Sequence, residues 1–119
     1  METGCGVYRE QESMQQTVRD VATLRGRVQE LKLEDGSKVF NTELIAALEL
    51  VNMVDCAEAV ANSAVQRKES RGAHTCRDFP TRNDQDYLHH TLCYFGEDGP
   101  RIDKKAVALG HWEPEERKY

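Results

Sequence analysis

The sequence predicts a mainly α protein: a helical part, residues 1–71, followed by an irregular, extended part, residues 72–119, that carries a small β-hairpin. Three observations point there. Apolar residues recur at helical spacing between Glu10 and Leu33. A second run, Asn41 to Val65, has 16 of its 25 positions apolar, dense enough for a buried helix. The stretch from Gln66 onward holds all three prolines and few apolar residues, which breaks the helical pattern.

In the first helix, expected from Glu10 to Leu33, Met14, Val21 and Val28 repeat every seven residues beside Thr17, Leu24 and Leu31, and Val18 widens the stripe. Gly26 weakens its middle by about 1 kcal/mol relative to Ala. Asp35-Gly36-Ser37 is a stop-and-turn signal. The second helix should begin at Asn41 or Thr42, either of which can cap its free N–H groups, and run to about Glu69 or Arg71, ending at Gly72. Its apolar side chains, among them Leu44, Ile45, Leu48, Leu50, Val51, Met53 and Val54, point in several directions. Such a helix requires burial nearly all round, more than one partner helix can supply. Asn52 and Asp55 interrupt it and need a polar partner or a strip facing water. In the tail, Leu88–Phe95 and Ile102–Leu109 flank the turn signal Gly96-Glu-Asp-Gly-Pro100, which reads as a hairpin.

Composition bounds the function. One domain fits 119 residues. Leu, Ile, Val and Phe make up about 20% of the chain, near the edge below which charged chains stay disordered, which argues against a free-standing enzyme with a deep pocket. The net charge of -5 opposes nonspecific nucleic-acid binding. The longest apolar run, Leu44–Leu48, is far short of the roughly 20 residues of a membrane span. No signal peptide is evident at the start, so the four scattered cysteines read as reduced thiols in a cytosol-like compartment.

The densest polar cluster is the run Arg67 to Asp86, RKESRGAHTCRDFPTRNDQD. Taken singly, its cations suit a helix C-terminus and its other charges suit a solvated loop. Taken together, alternating Arg and Asp form a contact surface in which bidentate pairs fix one segment against another. His74-x-Cys76 and His90-x-x-Cys93 offer a zinc-like ligand mix, but the first pair is too closely spaced and Arg77 adjoins Cys76. Cys76 and Cys93 lack an orienting group and an oxyanion hole. Ser70 sits on no nucleophile elbow. The sequence has no GxGxxG, P-loop or HExxH motif. Glu113, Glu115 and Glu116 read as a solvated tail. No catalytic, cofactor-binding or metal-ligating residue is assigned.

Several segments together carry a family likeness: Asn41-Thr-Glu-Leu, Leu48-Glu-Leu-x-Asn52-Met, Ala64-x-x-Arg67-Lys-Glu-Ser-Arg-Gly-Ala-His74 and Arg77-Asp-Phe-Pro-x-Arg82-Asn-Asp84. With Gly6-Val-Tyr-Arg9, His90-Thr-Leu and Arg117-x-Tyr119, the chain resembles the C-terminal domain of the flavoprotein subunit of succinate dehydrogenases and fumarate reductases. Aspartate oxidases share the helical part and a related Glu-Ser-Arg-Gly run but usually lack the His-Thr-Leu segment and this tail. They rank second, followed by an independent helical interaction module such as a homodimer through the Leu44–Val65 face.

The resemblance implies a spectrin-like bundle of up-and-down helices with an extended tail, read as a fragment of a larger flavoprotein. The helix that normally leads into residues 1–9 is absent or cut short. Either a closed three-helix bundle or a two-helix hairpin with an exposed seam is then open. The resemblance also implies a parent that interconverts succinate and fumarate by hydride transfer through covalently held FAD. Electrons would pass to an iron–sulfur subunit and quinone. The family's catalytic and FAD-binding residues precede this region, so the isolated chain is expected to bind no FAD and to be inactive. Arg67, Arg71, His74, Arg77, Asp78 and Arg82 are the candidate domain-interface residues, facing the flavin-binding domain of the same subunit. No nucleic acid and no direct membrane insertion is expected. The parent would be peripheral, on the cytoplasmic face of the inner membrane or the mitochondrial matrix side.

Overall fold

A computed structural model describes residues 1–96 and 98–115. Glu97 of the expected turn, and Glu116 and Arg117–Tyr119 of the tail, lie outside the described residues.

The apolar stripe of the first helix becomes α2, Gln11–Gln29, and the alanine-rich run becomes α3, Thr42–Val65. Before them come a four-residue helix, α1 (Glu2–Cys5), and a two-residue strand, β1 (Tyr8–Arg9). The long helices run antiparallel. Gln11 at the start of α2 donates its side-chain N–H to the Val65 carbonyl at the end of α3 (2.9 Å), and Arg25 near the end of α2 reaches Asp55 (2.5 Å) and Glu58 (2.6 Å). Asp55, unusual on an apolar helix, is therefore matched by Arg25, whereas Asn52 faces outward.

Met14, Thr17 and Val21 form the buried line of α2, and Val54, Ala61 and Ala64 that of α3. The core is narrow. Cys5, Met14, Ala61, Ala64 and Cys76 cluster together, with Val18, Val65 and Phe79 packed at its edge. The alanines let the backbones approach, and Met14, the largest apolar side chain there, fills the gap with no exposure. Gly4 brings α1 onto α2, since a Cβ there would sit 1.9 Å from Thr17 Oγ1.

Both long helices stop short of expectation, each for a polar reason. In α2 the turn Glu30–Leu33 is unwound: the Glu43 carboxylate accepts from the backbone N–H groups of Glu34 (3.0 Å) and Asp35 (2.6 Å), which draws the loop back onto the first turn of α3. Asn41 is the cap of α3, its Oδ1 accepting from Leu44 N at 2.8 Å. At the other end α3 stops at Val65 rather than at Glu69 or Arg71. In a continued helix Arg67 and Arg71 would share one face and Glu69 would point away from both. Leaving the helix lets both close on the same carboxylate.

The tail holds β2 (Thr75–Cys76), α4 (Asp84–Tyr87), β3 (His89–Tyr94) and β4 (Arg101–Ala106). β3 and β4 form the expected antiparallel hairpin, with His89 opposite Ala106 and Tyr94 opposite Arg101. Gly99 turns it at φ +113°, a conformation glycine adopts without strain. β1 pairs in parallel with β2, Tyr8 opposite Thr75 and Arg9 opposite Cys76, a strap that short two-residue strands do not announce in sequence. All four cysteines are free thiols.

The result is a two-helix hairpin with an open seam. Leu44, Ile45, Leu48, Val51, Met53 and Val60 of α3 are 42–59% exposed. The chain is elongated, 57 × 31 × 31 Å, and exposes 9362 Å². A compact monomer of its mass would expose about 6,600 Å². Among the described residues no helix is long and apolar enough to cross a membrane.

Candidate functional site

The candidate interface residues gather at one end of the helical hairpin, where α3 ends and α2 begins. At their centre lies Glu69, fully buried. Its Oε1 accepts from Arg67 Nη2 (2.7 Å) and Arg71 Nε (2.9 Å), and its Oε2 from Arg71 Nη2 (3.0 Å) and the Asn83 backbone N–H (3.0 Å). Burial pushes the carboxyl up, but the bonds from Arg71, Asn83 and Arg67 outweigh it and hold Glu69 below the usual carboxylate range. Arg71 continues to Asp84 Oδ1 (2.5 Å), which also accepts from Arg82 Nε (2.8 Å). These bonds from Arg82 and Arg71 depress Asp84 strongly. Arg82 reaches on to the Glu115 carbonyl at 2.6 Å, so the tail is tied to the same hub.

Arg67 fans outward in three further directions, to the carbonyls of Tyr87 (2.5 Å) and His89 (3.1 Å) and to Thr91 Oγ1 (2.9 Å). One side chain thus joins the end of α3, α4 and the first strand of the hairpin. Ser70 closes the loop around it. Its hydroxyl donates to the Phe79 carbonyl (2.8 Å) and accepts from Cys76 N (2.9 Å), which leaves it fixed as a structural group. Gly72, at φ +57°, turns the chain between Arg71 and His74, whose backbones pair at 2.9 and 3.0 Å. The sequence reading put Gly72 at the end of the second helix; its place is this tight turn instead.

His74 is held by both nitrogens. Arg9 Nη1 donates to Nδ1 at 2.7 Å, so Nε2 carries the proton and donates to the Arg67 carbonyl at 3.1 Å. Burial pushes this imidazole below its ordinary range by more than the Arg67 carbonyl raises it. With the Nδ1 lone pair taken by Arg9 and the Nε2 proton by the Arg67 carbonyl, His74 has no spare nitrogen for a metal or a proton relay. Cys76, its proposed neighbour in a ligand set, is fully buried. Among the described residues no three His, Cys, Asp or Glu side chains are placed to hold a metal ion.

Arg77 and Asp78 act at a distance. Arg77 pairs with Glu10 (2.8 Å) and lies over the Tyr8 ring. Asp78 Oδ2 accepts from Gln11 N at 2.5 Å, which supplies α2 with the side-chain cap that Glu10 does not. Arg67, Arg71, His74 and Arg82 thus meet in or beside the hub, Arg77 and Asp78 stand apart at the start of α2, and all six spend side-chain groups inside the chain. The Arg–Asp pairing expected of this run is met at Arg82 and Asp84, whereas Glu69, Asn83 and Arg9, which bind the candidates, were not among them. The signal was the glutamate flanked at two residues on either side by arginine, a spacing that in a helix turns the carboxylate away from both cations.

Beside this hub, between α3 and the hairpin, lies a groove of about 680 Å³. It is lined by Arg9, Arg67, Arg71 and His74, by His89 and His90, and by Ala59, Val60 and Ser63 of α3. A flavin would need a glycine-rich turn after a strand to take its phosphates. The long helices here start behind Glu10 and Asn41 side chains instead. Among the described residues no glycine-rich turn joins a strand to a helix.

Over residues 1–119 the chain matches the family described as fumarate reductase flavoprotein C-term. It belongs to that family. The fumarate reductase flavoprotein subunit of Haemophilus influenzae is 45% identical over 120 residues, covering 100% of this chain and 20% of that protein. The succinate dehydrogenase flavoprotein subunit of Rickettsia conorii is 39% identical over 110 residues, covering 92% of this chain and 18% of that one. Among solved structures, a mutant of E. coli quinol fumarate reductase FrdA superimposes with a TM-score of 0.93 at 39% identity, covering 98% of this chain and 20% of that one. The chain thus spans about a fifth of the length of these relatives. It is a C-terminal domain of a fumarate reductase or succinate dehydrogenase flavoprotein subunit, with the helical fold of that family.

Proposed function

We propose that this chain is a docking and structural domain, without catalytic residues of its own, in a flavoprotein that interconverts succinate and fumarate by FAD-mediated hydride transfer. In this reading electrons leave through an iron–sulfur subunit to quinone, in an assembly peripheral to the inner membrane on its cytoplasmic or matrix side. The quinol fumarate reductase likeness favours that route. The observation that carries the docking role is the uncovered apolar face of α3, Leu44, Ile45, Leu48 and Val51. The chain exposes roughly 2,800 Å² more than a compact monomer would. A stable interface buries about 1,600 Å² in total, so the excess accommodates one. The hub keeps the end of α3, the hairpin and the tail in one rigid arrangement, so that this face is presented at a fixed angle.

Leu48→Glu in the intact flavoprotein tests the reading. Removing apolar contact and inserting a charge should lower the thermal midpoint or the yield of assembled subunit, with KM for succinate unchanged. A raised KM with unchanged stability would overturn it, as would a concentration-dependent dimer of the wild-type intact flavoprotein that Leu48→Glu dissolves.

A further inference from the structure

The groove beside α3 has a charge pattern opposite to that of the chain. The sequence has 21 acidic and 16 basic residues, yet no Asp or Glu lines this groove. Behind its wall, Glu69 and Asp84 neutralise Arg67 and Arg71. Arg9 is different. It is half-buried, and its partners are neutral: Nε donates to the Gly6 carbonyl (2.7 Å) and Nη1 to His74 Nδ1 (2.7 Å). Among the described residues no carboxylate pairs with it. A partly buried guanidinium without an anion is an unfinished ion pair, and its planar fork suits a carboxylate, the anion that a polypeptide segment carries. Ala59 and Val60 of α3, which line the same groove, are apolar, and Val60 is 47% exposed.

We propose that this groove receives an extended, carboxylate-bearing segment from the remainder of the flavoprotein polypeptide, an Asp or Glu of that segment pairing with Arg9 while an adjacent apolar side chain covers Val60. This rests on the docking role proposed above and names the chemistry of one contact. A free small anion satisfies Arg9 but leaves the α3 wall open to water. A chain segment does both, and about 680 Å³ lies within the range of occupied ligand sites. His74 holds the Arg9 side chain toward the groove and, being neutral, does not compete for the incoming anion.

The test uses the intact flavoprotein with a photoreactive benzophenone side chain in place of His90 and, in a separate protein, in place of Leu48. The probe at position 90 should couple to a peptide of the same polypeptide outside these 119 residues, with Asp or Glu beside the coupled residue. Arg9→Gln should lower that yield about tenfold, and Arg9→Lys, which keeps the charge, should retain most of it. Coupling to solvent alone, to a peptide without an acidic residue or to a separate subunit overturns the proposal. So does an unchanged yield in Arg9→Gln, or protection of position 90 by added succinate, which would make the groove a small-anion site. The probe at position 48 reports on the docking role by itself. Its coupling to the flavoprotein stands whatever position 90 shows, and its silence counts against docking.

Discussion

Replacing Glu69 with alanine removes the centre of the hub. Four strong N–H bonds converge on this carboxylate, from Arg67, Arg71 twice and Asn83. Deleting one partner of a buried ion pair costs roughly 3–5 kcal/mol. Here the arginines left behind are 16% and 28% exposed, and Arg71 keeps Asp84 while Arg67 keeps the Tyr87 and His89 carbonyls. The lower end applies, about 3 kcal/mol for Glu69→Ala. Glu69→Gln, which turns an amide N–H₂ toward these donors, should lose nearly as much. Urea unfolding of the 119-residue chain followed by circular dichroism reads the loss directly. In the intact flavoprotein, exchange of the Asn83 amide should accelerate by about 100-fold if the opening is local. A loss under about 1 kcal/mol, or an unchanged Asn83 amide, would refute the claim that this carboxylate holds the loop together.

Three further outcomes follow from the same contacts. Gly4→Ala places a Cβ against a Thr17 hydroxyl that is itself bonded to the Ser13 carbonyl, so α1 must lift from α2 at a cost of about 1–3 kcal/mol in denaturant titrations. Asn41→Ala removes the cap on Leu44 N and the bonds to the Asp35 and Ser37 carbonyls, costing about 1 kcal/mol and raising amide exchange in the first turn of α3. Stability should also fall in two limbs as pH is lowered. Burial holds His74 and His89 below the histidine range, so below about pH 6.5 the unfolded chain binds protons that the folded chain refuses. Glu69 and Asp84 are depressed in the folded chain, so their contribution is complete above about pH 4.3 and is lost as pH falls through their lower folded values. His74→Gln should flatten the first limb and leave the second in urea midpoints measured from neutral to acid pH.

The helices and the hairpin were legible because each is written in local periodicity: the Met14–Val21–Val28 stripe, the alanine-rich run and the Gly-Pro turn between two β-favouring segments. The over-apolar second helix was legible too, and its exposed Leu44, Ile45 and Leu48 match the expected shortage of cover. The hub was not. In sequence Arg67, Glu69 and Arg71 look like a solvated charge run, and the burial of Glu69 arises because Asn83 closes over it from 14 residues away. The β1–β2 strap escaped for the same reason. A two-residue pairing has no period, and its partners lie 67 residues apart in the sequence. The candidate residues were found by their density and their family likeness, while their partners required the fold.

That strap has a kinetic consequence. The α2–α3 hairpin and the β3–β4 hairpin join neighbours in sequence and can form early. The bonds from Arg9 to His74, from Arg77 to Glu10 and from Gln11 N to Asp78 close segments of 65 and 67 residues, and none can form until both ends have found their positions. The strap is therefore the last stitch in folding and the first to slip. The Arg77 amide, bonded to the Arg9 carbonyl at 2.8 Å, should exchange before those in the middle of α3. During folding both hairpins would be in place while residues 1–10 were still searching.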